Sequence, residues 1–326
     1  MDICDFLANR RQAVVVNGER SDFLSVQSGV PQGSVLGPCL FLIYINDLPD
    51  TLTVPVRLFA DDTVLYSQVN SSRDQLHLQN NLDKLAEWGE KWDMKFNASK
   101  CTVLTVSRKR KILQQNYQLY DNTLEAVNTA KYLGITISSD LNWKPHIEDI
   151  CVKANRTLGF LRRNLKISSR KVKEAAYKSY VRPILEYAVT VWDTHTQEAI
   201  TKLEAVQRRA ARFVMRRYRN TSSVSAMIHD LHWASLEERR RIARLTILFK
   251  IQHNLICLDS LKTKLHPLPP RRRRGHSHQL TIPHCHTKHQ QNAFLIHTIK
   301  DWNGLPIDAV EAKTIDTFVS LVKRQH

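Results

Sequence analysis

The sequence predicts an α+β protein in which about 140 residues of mixed strands and helices precede an all-helical remainder. Two observations predict this class. Short β-branched runs separated by turn residues recur before residue 140, as in hairpin strands. From Lys144 onward, apolar residues recur with the period of amphipathic helices. The 326 residues, 42% of them hydrophobic, allow about two domains with a packed core.

The first predicted elements are a hairpin and a buried helix. Asn17-Gly18 lies between Val14–Val16 and Phe23–Val26, and this dipeptide favours a two-residue hairpin turn. The apolar run Cys39–Leu48 predicts a buried helix that ends before Pro49, because the residue preceding proline disfavours helical geometry.

An amphipathic helix and further strands complete the first part. Residues 71–93 predict a helix that begins at a cap formed by Ser71-Ser72-Arg73-Asp74. Its predicted core-facing residues are Leu78, Leu82, Leu85 and Trp92. Residues 95–106 and 117–137 alternate as strands.

The remainder predicts amphipathic helices over residues 145–165, 168–190, 196–217 and 235–257. Pro183 is expected to kink or break the second of them, because proline lacks a backbone N–H. Residues 291–323 predict a helix, a turn at Trp302 and a final helix around Ile315–Val322.

Two adjacent carboxylates, Asp61 and Asp62, are the most informative chemical feature. The flanking residues Val54, Val56, Leu58, Val64 and Tyr66 are spaced as strands, which places the pair at a hairpin tip. Two unit charges about 4 Å apart repel by roughly 4 kcal/mol at an effective dielectric near 20. A bound cation would offset this repulsion, and carboxylate-bound Mg²⁺ serves phosphoryl transfer. The alternative is a solvated polar turn.

A glycine-rich segment precedes the carboxylates. It reads Ser28-Gly29-Val30-Pro31-Gln32-Gly33-Ser34-Val35-Leu36-Gly37-Pro38. Glycine lets a backbone approach a ligand closely, and Ser34 could cap a helix that has Pro38 in its first turn. Such a turn suits a nucleotide or a template strand, although glycine and proline alone also mark ordinary loops.

Together, in this order and spacing, the two segments resemble the reverse transcriptase domain of non-LTR (LINE-type, jockey-like) retrotransposons. Phe-Ala-Asp-Asp at 59–62 is similar to the family's Tyr-Ala-Asp-Asp hairpin. The resemblance continues through Arg10-Arg11-Gln12, Asn97–Cys101, Lys131–Thr136, Tyr180–Trp192, Asp301–Pro306 and Phe318, and so covers nearly the whole chain.

The resemblance implies a partial right-hand polymerase palm over residues 1–140, with its mixed sheet and helices. It implies a helical thumb, or nucleic-acid-binding region, over residues 141–257. A basic Pro- and His-rich linker over 258–290 and a C-terminal helical region over 291–326 would follow.

The resemblance also implies the site and the reaction, an RNA-directed, metal-dependent nucleotidyl transfer onto a primer 3′ end. Its implied partners are an RNA template, a DNA primer and a deoxynucleoside triphosphate. Asp61 would bind Mg²⁺ with Asp62 as a second carboxylate, and Lys100 would assist the leaving pyrophosphate unless it is a plain surface lysine. The nucleotide and template residues would be Gly29, Pro31, Gln32, Gly33, Ser34 and Phe59, and the primer grip Tyr132, Leu133 and Gly134.

One family feature is missing from this sequence. Family polymerases carry another catalytic aspartate on an earlier palm strand, and Asp2 and Asp5 lack the flanking strand pattern. A two-metal site needs ligands that hold both ions. We therefore expect the C-terminal part of an open reading frame, weak or inactive alone. The first alternative is a catalytically dead nucleic-acid-binding protein. The second is a polymerase of another lineage, intron-encoded or telomerase-type, but the sequence contains no segment typical of either.

The net charge of +17 lies entirely in the second half: residues 1–145 carry −1 and the remainder +18. This asymmetry favours a nucleic-acid surface, although scattered cations can simply solubilise helices.

We expect no membrane association, because the longest apolar run is too short to span a bilayer. Six cysteines without Cys-x-x-Cys spacing favour a reducing compartment, hence the nucleus or cytoplasm. The oligomeric state is left open.

The Pro-rich stretch before Arg271-Arg272-Arg273-Arg274 predicts a solvated charged linker. Phosphate binding and a nuclear localisation signal are the alternatives.

Five histidines and Cys285 between residues 276 and 289 raise the hypothesis of a zinc site. Their spacing matches no closed zinc finger, so a polar loop is the preferred interpretation.

Overall fold

The computed structural model describes residues 2–107, 109, 113, 115–219, 221–272 and 275–325. It divides into two compact units, Met1–Asn128 and Thr129–His326. The described chain is a mixture of small two-stranded sheets and many helices, which confirms the predicted mixture of α and β structure. Arg273 and Arg274 of the predicted linker lie outside the described residues.

In the described part of the first unit, four helices accompany ten short strands. The helices are α1 Ile3–Leu7, α2 Leu36–Tyr44, α3 Leu48–Thr51 and α4 Ser72–Lys91, with a 3₁₀ turn at Ala98–Lys100. The antiparallel pairs are β1 Arg11–Gln12 with β4 Leu24–Ser25, β2 Val15–Val16 with β3 Glu19–Arg20, β5 Val56–Phe59 with β6 Asp62–Leu65, and β8 Gln118–Leu119 with β9 Asn122–Thr123. The parallel pair is β7 Thr102–Leu104 with β10 Glu125–Val127. The described strands thus pair only two by two, and a continuous mixed sheet is not among them.

Helix α4 confirms the helix predicted over residues 71–93. The Ser71 hydroxyl accepts the Asp74 N–H, and the Asp74 carboxylate accepts the Ser71 N–H, which forms the capping box. Leu85 and Trp88 are buried in the unit's core, and the partly buried Leu78, Leu82 and Trp92 pack against it.

The hairpin predicted at Asn17-Gly18 has the expected turn but a different partner strand. Asn17 and Gly18 have φ of 54° and 89°, the left-handed geometry of a two-residue turn. Such a tight turn pairs the residues directly beside it, Val16 with Glu19. Phe23–Val26 was therefore the wrong partner, and Leu24–Ser25 pairs with β1 instead.

The helix predicted over Cys39–Leu48 is displaced toward the N-terminus and is not buried. Helix α2 spans Leu36–Tyr44, and Gly37 is its buried residue, while Leu42 and Ile43 are 55% and 72% exposed. The helix is apolar on all sides, but the core of this unit meets only the side that carries Phe41. Pro49 lies in the first turn of α3, where its missing N–H costs no helical hydrogen bond.

In the second unit, one hairpin precedes a helical body. Strands β11 Thr129–Tyr132 and β12 Ile135–Ser138 pair in antiparallel fashion. The longer helices are α5 Lys144–Asn164, α6 Arg170–Ala176, α9 Gln197–Met215, α10 Val224–Asp230, α11 Leu236–Gln252, α14 Phe294–Asn303 and α16 Ile315–Lys323. The short ones are α7 Arg182–Glu186, α8 Val189–Trp192, α12 Asp259–Lys262, α13 Lys288–Gln291 and α15 Ile307–Val310, and a 3₁₀ turn covers Pro270–Arg272.

Most of the helices expected after residue 144 are confirmed, and the helix expected over 168–190 is broken as its proline predicted. Helix α6 passes into a π-helical stretch, Tyr177–Val181, before α7 begins with Pro183 in its first turn. A second interruption was not expected: Ala188 adopts left-handed geometry with φ of 49°, which separates α7 from α8.

Helix α11 contributes to two hydrophobic cores. Its Leu236 belongs to the core built around α5 and α9, whereas its Leu245 and Phe249 belong to the core around Trp302 and Phe318. A buried ionic network accompanies the junction of the two cores: Asp193 accepts from Nε of Arg240 at 2.8 Å and of Arg244 at 2.5 Å. Arg244 also donates to Asp301 at 3.0 Å.

Part of the predicted linker is packed against the last core. Trp302 donates to the His278 carbonyl at 3.0 Å, and the Asn303 side chain exchanges hydrogen bonds with the Leu280 backbone at 2.7 and 2.8 Å. His276 and Leu280 are buried. Residues 276–280 are thus held by the Trp302 turn, while the domain boundaries proposed from the sequence stay a prediction.

Candidate active site

Asp61 and Asp62 lie at the tip of the β5–β6 hairpin, as the strand spacing predicted. Phe59 pairs with Asp62, so Ala60 and Asp61 form a two-residue loop. Both aspartates are exposed, and Phe59 is 61% exposed beside them. Ala60 has φ of 50°, a left-handed conformation that costs a non-glycine residue about 1–2 kcal/mol.

The two carboxylates form a pair without a protein counter-charge. Among the described residues, neither carboxylate takes part in a hydrogen bond or ion pair, and no group of three or more His, Cys, Asp or Glu side chains could hold a metal. Magnesium is commonly bound by one or two carboxylates together with substrate phosphates and water. Two adjacent carboxylates at the tip of a hydrogen-bonded hairpin are therefore compatible with one such ion.

A buried asparagine anchors the base of this hairpin. Asn81 of α4 is 1% exposed, and its side-chain oxygen accepts the N–H groups of Thr53 at 2.7 Å and Val54 at 3.3 Å. Its amide group donates to the His77 carbonyl at 2.8 Å. The sequence reasoning missed Asn81. The available signal was a polar residue next to Leu78, Leu82 and Leu85 on the core-facing side of α4.

The glycine-rich segment forms a turn whose shape depends on its glycines and on Ser34. Gly29 and Gly33 have φ of 71° and 77°, which side chains rarely tolerate. The Ser34 hydroxyl donates to the Pro31 carbonyl at 2.7 Å and accepts the Gly37 N–H at 3.0 Å. The formal N-cap of α2 is Val35 rather than the predicted Ser34, although the Ser34 hydroxyl satisfies an N–H of the first turn.

Arg10 fixes the start of this turn. Its guanidinium donates to the carbonyls of Leu7 at 3.0 Å, Ser28 at 3.0 Å and Gly29 at 2.7 Å. These bonds hold the chain that enters the turn beside strand β1. Gln32, in contrast, is exposed, and its side chain makes no hydrogen bond among the described residues. Arg10 is thus a positioning residue that sequence reasoning did not identify.

Lys100 ends the 3₁₀ turn Ala98–Lys100. Asn97 caps this turn by accepting the Ser99 N–H at 3.2 Å. The Lys100 side chain is exposed and makes no ion pair among the described residues, so it keeps a free ammonium group.

The predicted primer-grip residues form a hairpin turn in the second unit. Leu133 and Gly134 have φ of 46° and 79° and join β11 to β12. The Tyr187 hydroxyl donates to the Leu133 carbonyl at 3.1 Å. A Cβ atom at Gly134 would lie 3.3 Å from the Tyr187 ring, a tight contact, and the φ of 79° also favours glycine at this position.

His146 holds the next residues of the same hairpin. Its Nδ1 accepts the Thr136 N–H at 3.2 Å, while its ring packs edge-on against Trp192. Burial lowers the pKa of His146, and nearby Lys131 lowers it further, although Asp149 opposes both effects. The neutral imidazole is the form that can accept the Thr136 bond.

Within the first unit, the predicted residues lie in three local elements. Phe59 lies with the two aspartates, Gly29–Ser34 form a turn, and Lys100 ends the 3₁₀ turn. In the second unit, Tyr132–Gly134 belong to a hairpin turn. Across the part of the chain that is described, no hydrogen bond or ion pair links the glycine turn to the aspartate hairpin. The roles of these residues stay predictions.

Residues 3–137 match the family described as reverse transcriptase (RNA-dependent DNA polymerase). This segment is a reverse transcriptase domain. The reverse transcriptase family is metal-dependent, and it acts on nucleic-acid templates and primers with nucleotide substrates. The matched residues include both the glycine turn and the aspartate hairpin.

Curated relatives of this chain come from non-LTR retrotransposons, in agreement with the resemblance seen in the sequence. The chain is 28% identical over 300 residues to the probable RNA-directed DNA polymerase from transposon BS of Drosophila melanogaster, covering 85% of this chain and 32% of that protein. It is 30% identical over 220 residues to the RNA-directed DNA polymerase from mobile element jockey of the same species, covering 64% of this chain and 24% of that protein. The chain therefore spans a third or less of these relatives. No solved structure matches it.

The histidine cluster of 276–289 is divided among different contacts. His276 contacts the Trp302 carbonyl at 3.0 Å, and His278 lies 3.0 Å from Glu311. In the described ranges no set of three metal-binding side chains converges there or elsewhere. None of the described helices is both long and apolar enough to cross a bilayer.

Proposed function

We propose that the protein is an RNA-directed DNA polymerase that adds nucleotides to a primer 3′ end along an RNA template. The observation that carries this proposal is the Asp61–Asp62 hairpin tip within a segment that matches the reverse transcriptase family. The relatives named RNA-directed DNA polymerase are three to four times longer than the matched region. Polymerase activity of this chain, its substrates and its partners are therefore proposals.

In the proposed reaction, the primer 3′ oxygen attacks the α-phosphorus of the incoming nucleotide and pyrophosphate leaves. Asp61 and Asp62 would hold Mg²⁺, which when bound neutralises charge on the phosphates. Their exposure at a hairpin tip leaves both carboxylates accessible to a nucleotide. The free ammonium of Lys100 would neutralise or protonate the departing pyrophosphate.

The remaining predicted residues would position the substrates. Phe59 would pack beside the primer end, since its exposed ring lies next to the carboxylates. Gly29, Pro31, Gln32, Gly33 and Ser34 would line the pocket for the nucleotide and template base, and Tyr132, Leu133 and Gly134 would grip the primer. In this arrangement residues 1–140 would be the palm and residues 141–257 the thumb.

Primer extension on poly(rA)/oligo(dT) tests the proposal. Because one family aspartate is missing from this sequence, we expect weak dTTP incorporation that requires Mg²⁺ and is lost in Asp61→Asn. Asp50→Asn, an exposed aspartate of α3, is the matched control and should retain incorporation. Incorporation that survives Asp61→Asn, or is absent in the unmodified protein, would contradict the proposal.

A nucleic-acid-binding protein without catalysis is the second candidate. The net charge of +18 after residue 145 favours this candidate, because positive charge attracts nucleic acid. The hairpin tip supplies only two carboxylates, and a two-metal site needs ligands that hold both ions. Salt-dependent binding of the primer–template without extension would support this candidate instead.

A further inference from the structure

Helix α4 holds two points of the chain that connects the glycine turn to the aspartate hairpin. The buried indole of Trp88 donates through Nε1 to the Asp47 carboxylate at 2.9 Å, just before α3. Seven residues earlier on α4, Asn81 accepts the N–H groups of Thr53 and Val54, just before β5. Because Asp47 follows the end of α2, one attachment holds α2 and the other holds the hairpin.

Both attachments use the same face of α4. Positions seven residues apart on an α-helix are separated by about two turns and about 10 Å, and their side chains point in nearly the same direction. Leu85 and Trp88 of this face are buried in one core with Ile45 and Leu48, which belong to the attached chain. Helix α4 therefore fixes the distance between the end of α2 and the start of the hairpin.

The Asp47 side chain serves this contact rather than its own helix. Asp47 is the N-cap residue of α3, and an N-cap carboxylate usually accepts an N–H of the first helical turn. The Asp47 carboxylate makes no such bond. It accepts the indole N–H of a residue 41 positions later in the sequence instead.

The direction of α2 depends on its C-terminal end. Leu42 and Ile43 are more than half exposed, so the sides of this helix make few contacts that could orient it. At its C-terminal end the Tyr44 hydroxyl donates to the Trp92 carbonyl of α4, next to the Asp47 contact. The polar contacts with α4 thus lie at the end of α2 that is farthest from the glycine turn.

A small tilt of α2 would move the glycine turn considerably. The nine residues of the helix span about 13 Å, so a tilt of about 10° at the attached end displaces the other end by about 2 Å. Within the described ranges of the first unit, no hydrogen bond or ion pair joins the turn to the hairpin directly. A misplacement of about 1 Å in a substrate-positioning group can cost about 100-fold in rate.

We propose that Asp47 is a positioning residue that, through the Trp88 indole, sets the distance between the glycine turn and the two carboxylates of the hairpin. The turn would contact the nucleotide, and the carboxylates would hold its metal ion. A carboxylate is a strong acceptor, and a buried N–H without a partner is destabilising, so the contact resists rearrangement. The inference rests on the proposed function for the use of this distance, but not for the attachment itself.

Three single variants and one double variant test the contact. Asp47→Ala removes the acceptor, whereas Asp47→Asn keeps an oxygen in the same place and should preserve the attachment. Asp50→Ala is the matched control, because it removes the same charge from an exposed position of α3. Trp88→Phe removes the donor but keeps an aromatic ring, so adding Asp47→Ala to it should have no further effect.

Iron-mediated cleavage of the full chain compares the two elements in one experiment. With Fe²⁺, ascorbate, poly(rA)/oligo(dT) and dTTP, the unmodified protein should be cut within residues 29–37 and 59–64. Asp47→Ala should keep the cuts in the hairpin and lose those in the turn, because the metal stays bound while the turn moves away. Asp47→Asn and Asp50→Ala should keep both sets of cuts.

Hydrogen exchange followed by mass spectrometry tests the attachment without metal or nucleotide. In Asp47→Ala the amides of residues 38–45 should exchange about 5- to 150-fold faster than in the unmodified protein, since the buried indole N–H loses its acceptor. Asp47→Asn and Asp50→Ala should exchange at close to the unmodified rate. Thermal unfolding checks that each variant remains folded.

Three results would overturn the proposal. The first is equal exchange in Asp47→Ala and Asp47→Asn, and the second is acceleration of the same size in Asp50→Ala. The third is a set of cuts in the turn of Asp47→Ala that is as strong as in the unmodified protein, because the contact would then be merely structural. An absence of cuts in every variant would refute the metal site of the proposed function, and the exchange rates alone would then decide whether Asp47 holds α2.

Discussion

Asn81→Ala should loosen the aspartate hairpin, because Asn81 is the side chain that anchors its base. The substitution removes the acceptor of the Thr53 and Val54 N–H groups. Val54 is only 6% exposed, so its N–H would lose its partner inside the protein, which costs about 1–3 kcal/mol. Thr53 is exposed and can turn to water, so its lost bond adds about 0.5–1.5 kcal/mol.

The sum predicts a loss of about 1.5–4.5 kcal/mol, or an increase of roughly 10- to 2,000-fold in the hydrogen-exchange rate of protected amides in residues 54–65. Hydrogen exchange followed by mass spectrometry measures this rate directly. Asn80→Ala is the matched control, since Asn80 is exposed on the same helix and its side chain makes no hydrogen bond among the described residues.

Both substitutions raise helix propensity equally, so their difference isolates the anchor. Slow exchange in the hairpin of Asn81→Ala, or equal acceleration in both variants, would refute the idea that Asn81 holds the hairpin in place.

Three further predictions concern stability. Ala60→Gly should raise the free energy of unfolding of the first unit by up to about 1 kcal/mol, because glycine adopts the left-handed conformation without strain; an unchanged or lower denaturant midpoint would contradict this. Asp193→Ala should destabilise the second unit by about 3–5 kcal/mol, since it strands the buried charge of Arg240; a change below 1 kcal/mol in urea unfolding would be against it. Lowering the pH below about 6.5 should destabilise the second unit by up to about 1.4 kcal/mol per pH unit through His146, because its folded pKa is lowered and the unfolded chain takes up the proton first. His146→Gln should flatten that pH dependence, and identical profiles for the two proteins would contradict the role assigned to the Thr136 bond.

Elements with strong local signals could be predicted from the sequence. The capping residues of α4, the tight turn at Asn17-Gly18 and the hairpin around the two aspartates depend on neighbouring residues, so their patterns were sufficient. The break before Pro183 likewise follows from one residue.

Features that depend on distant residues could not be predicted in this way. The ends and exposure of α2 depend on what packs against an entirely apolar helix, which a local pattern does not contain. Arg10 and Asn81 act on carbonyl and amide groups that lie 18 and 28 residues away in sequence. The parallel arrangement of α5 and α9, seen in the contacts of Lys202 with Glu148 and of Arg209 with Asn155, required the tertiary structure.

Iron-mediated cleavage is the most direct test of the central claim, that Asp61 and Asp62 bind a divalent metal beside the glycine turn. Fe²⁺ substituted for Mg²⁺ in the presence of ascorbate, primer–template and nucleotide should cut the backbone near the bound ion. We predict cuts within residues 59–64 and 29–37, both lost in Asp61→Asn and retained in Asp50→Asn. Cuts elsewhere, or cuts that persist unchanged in Asp61→Asn, would contradict the metal site on which the proposed function rests.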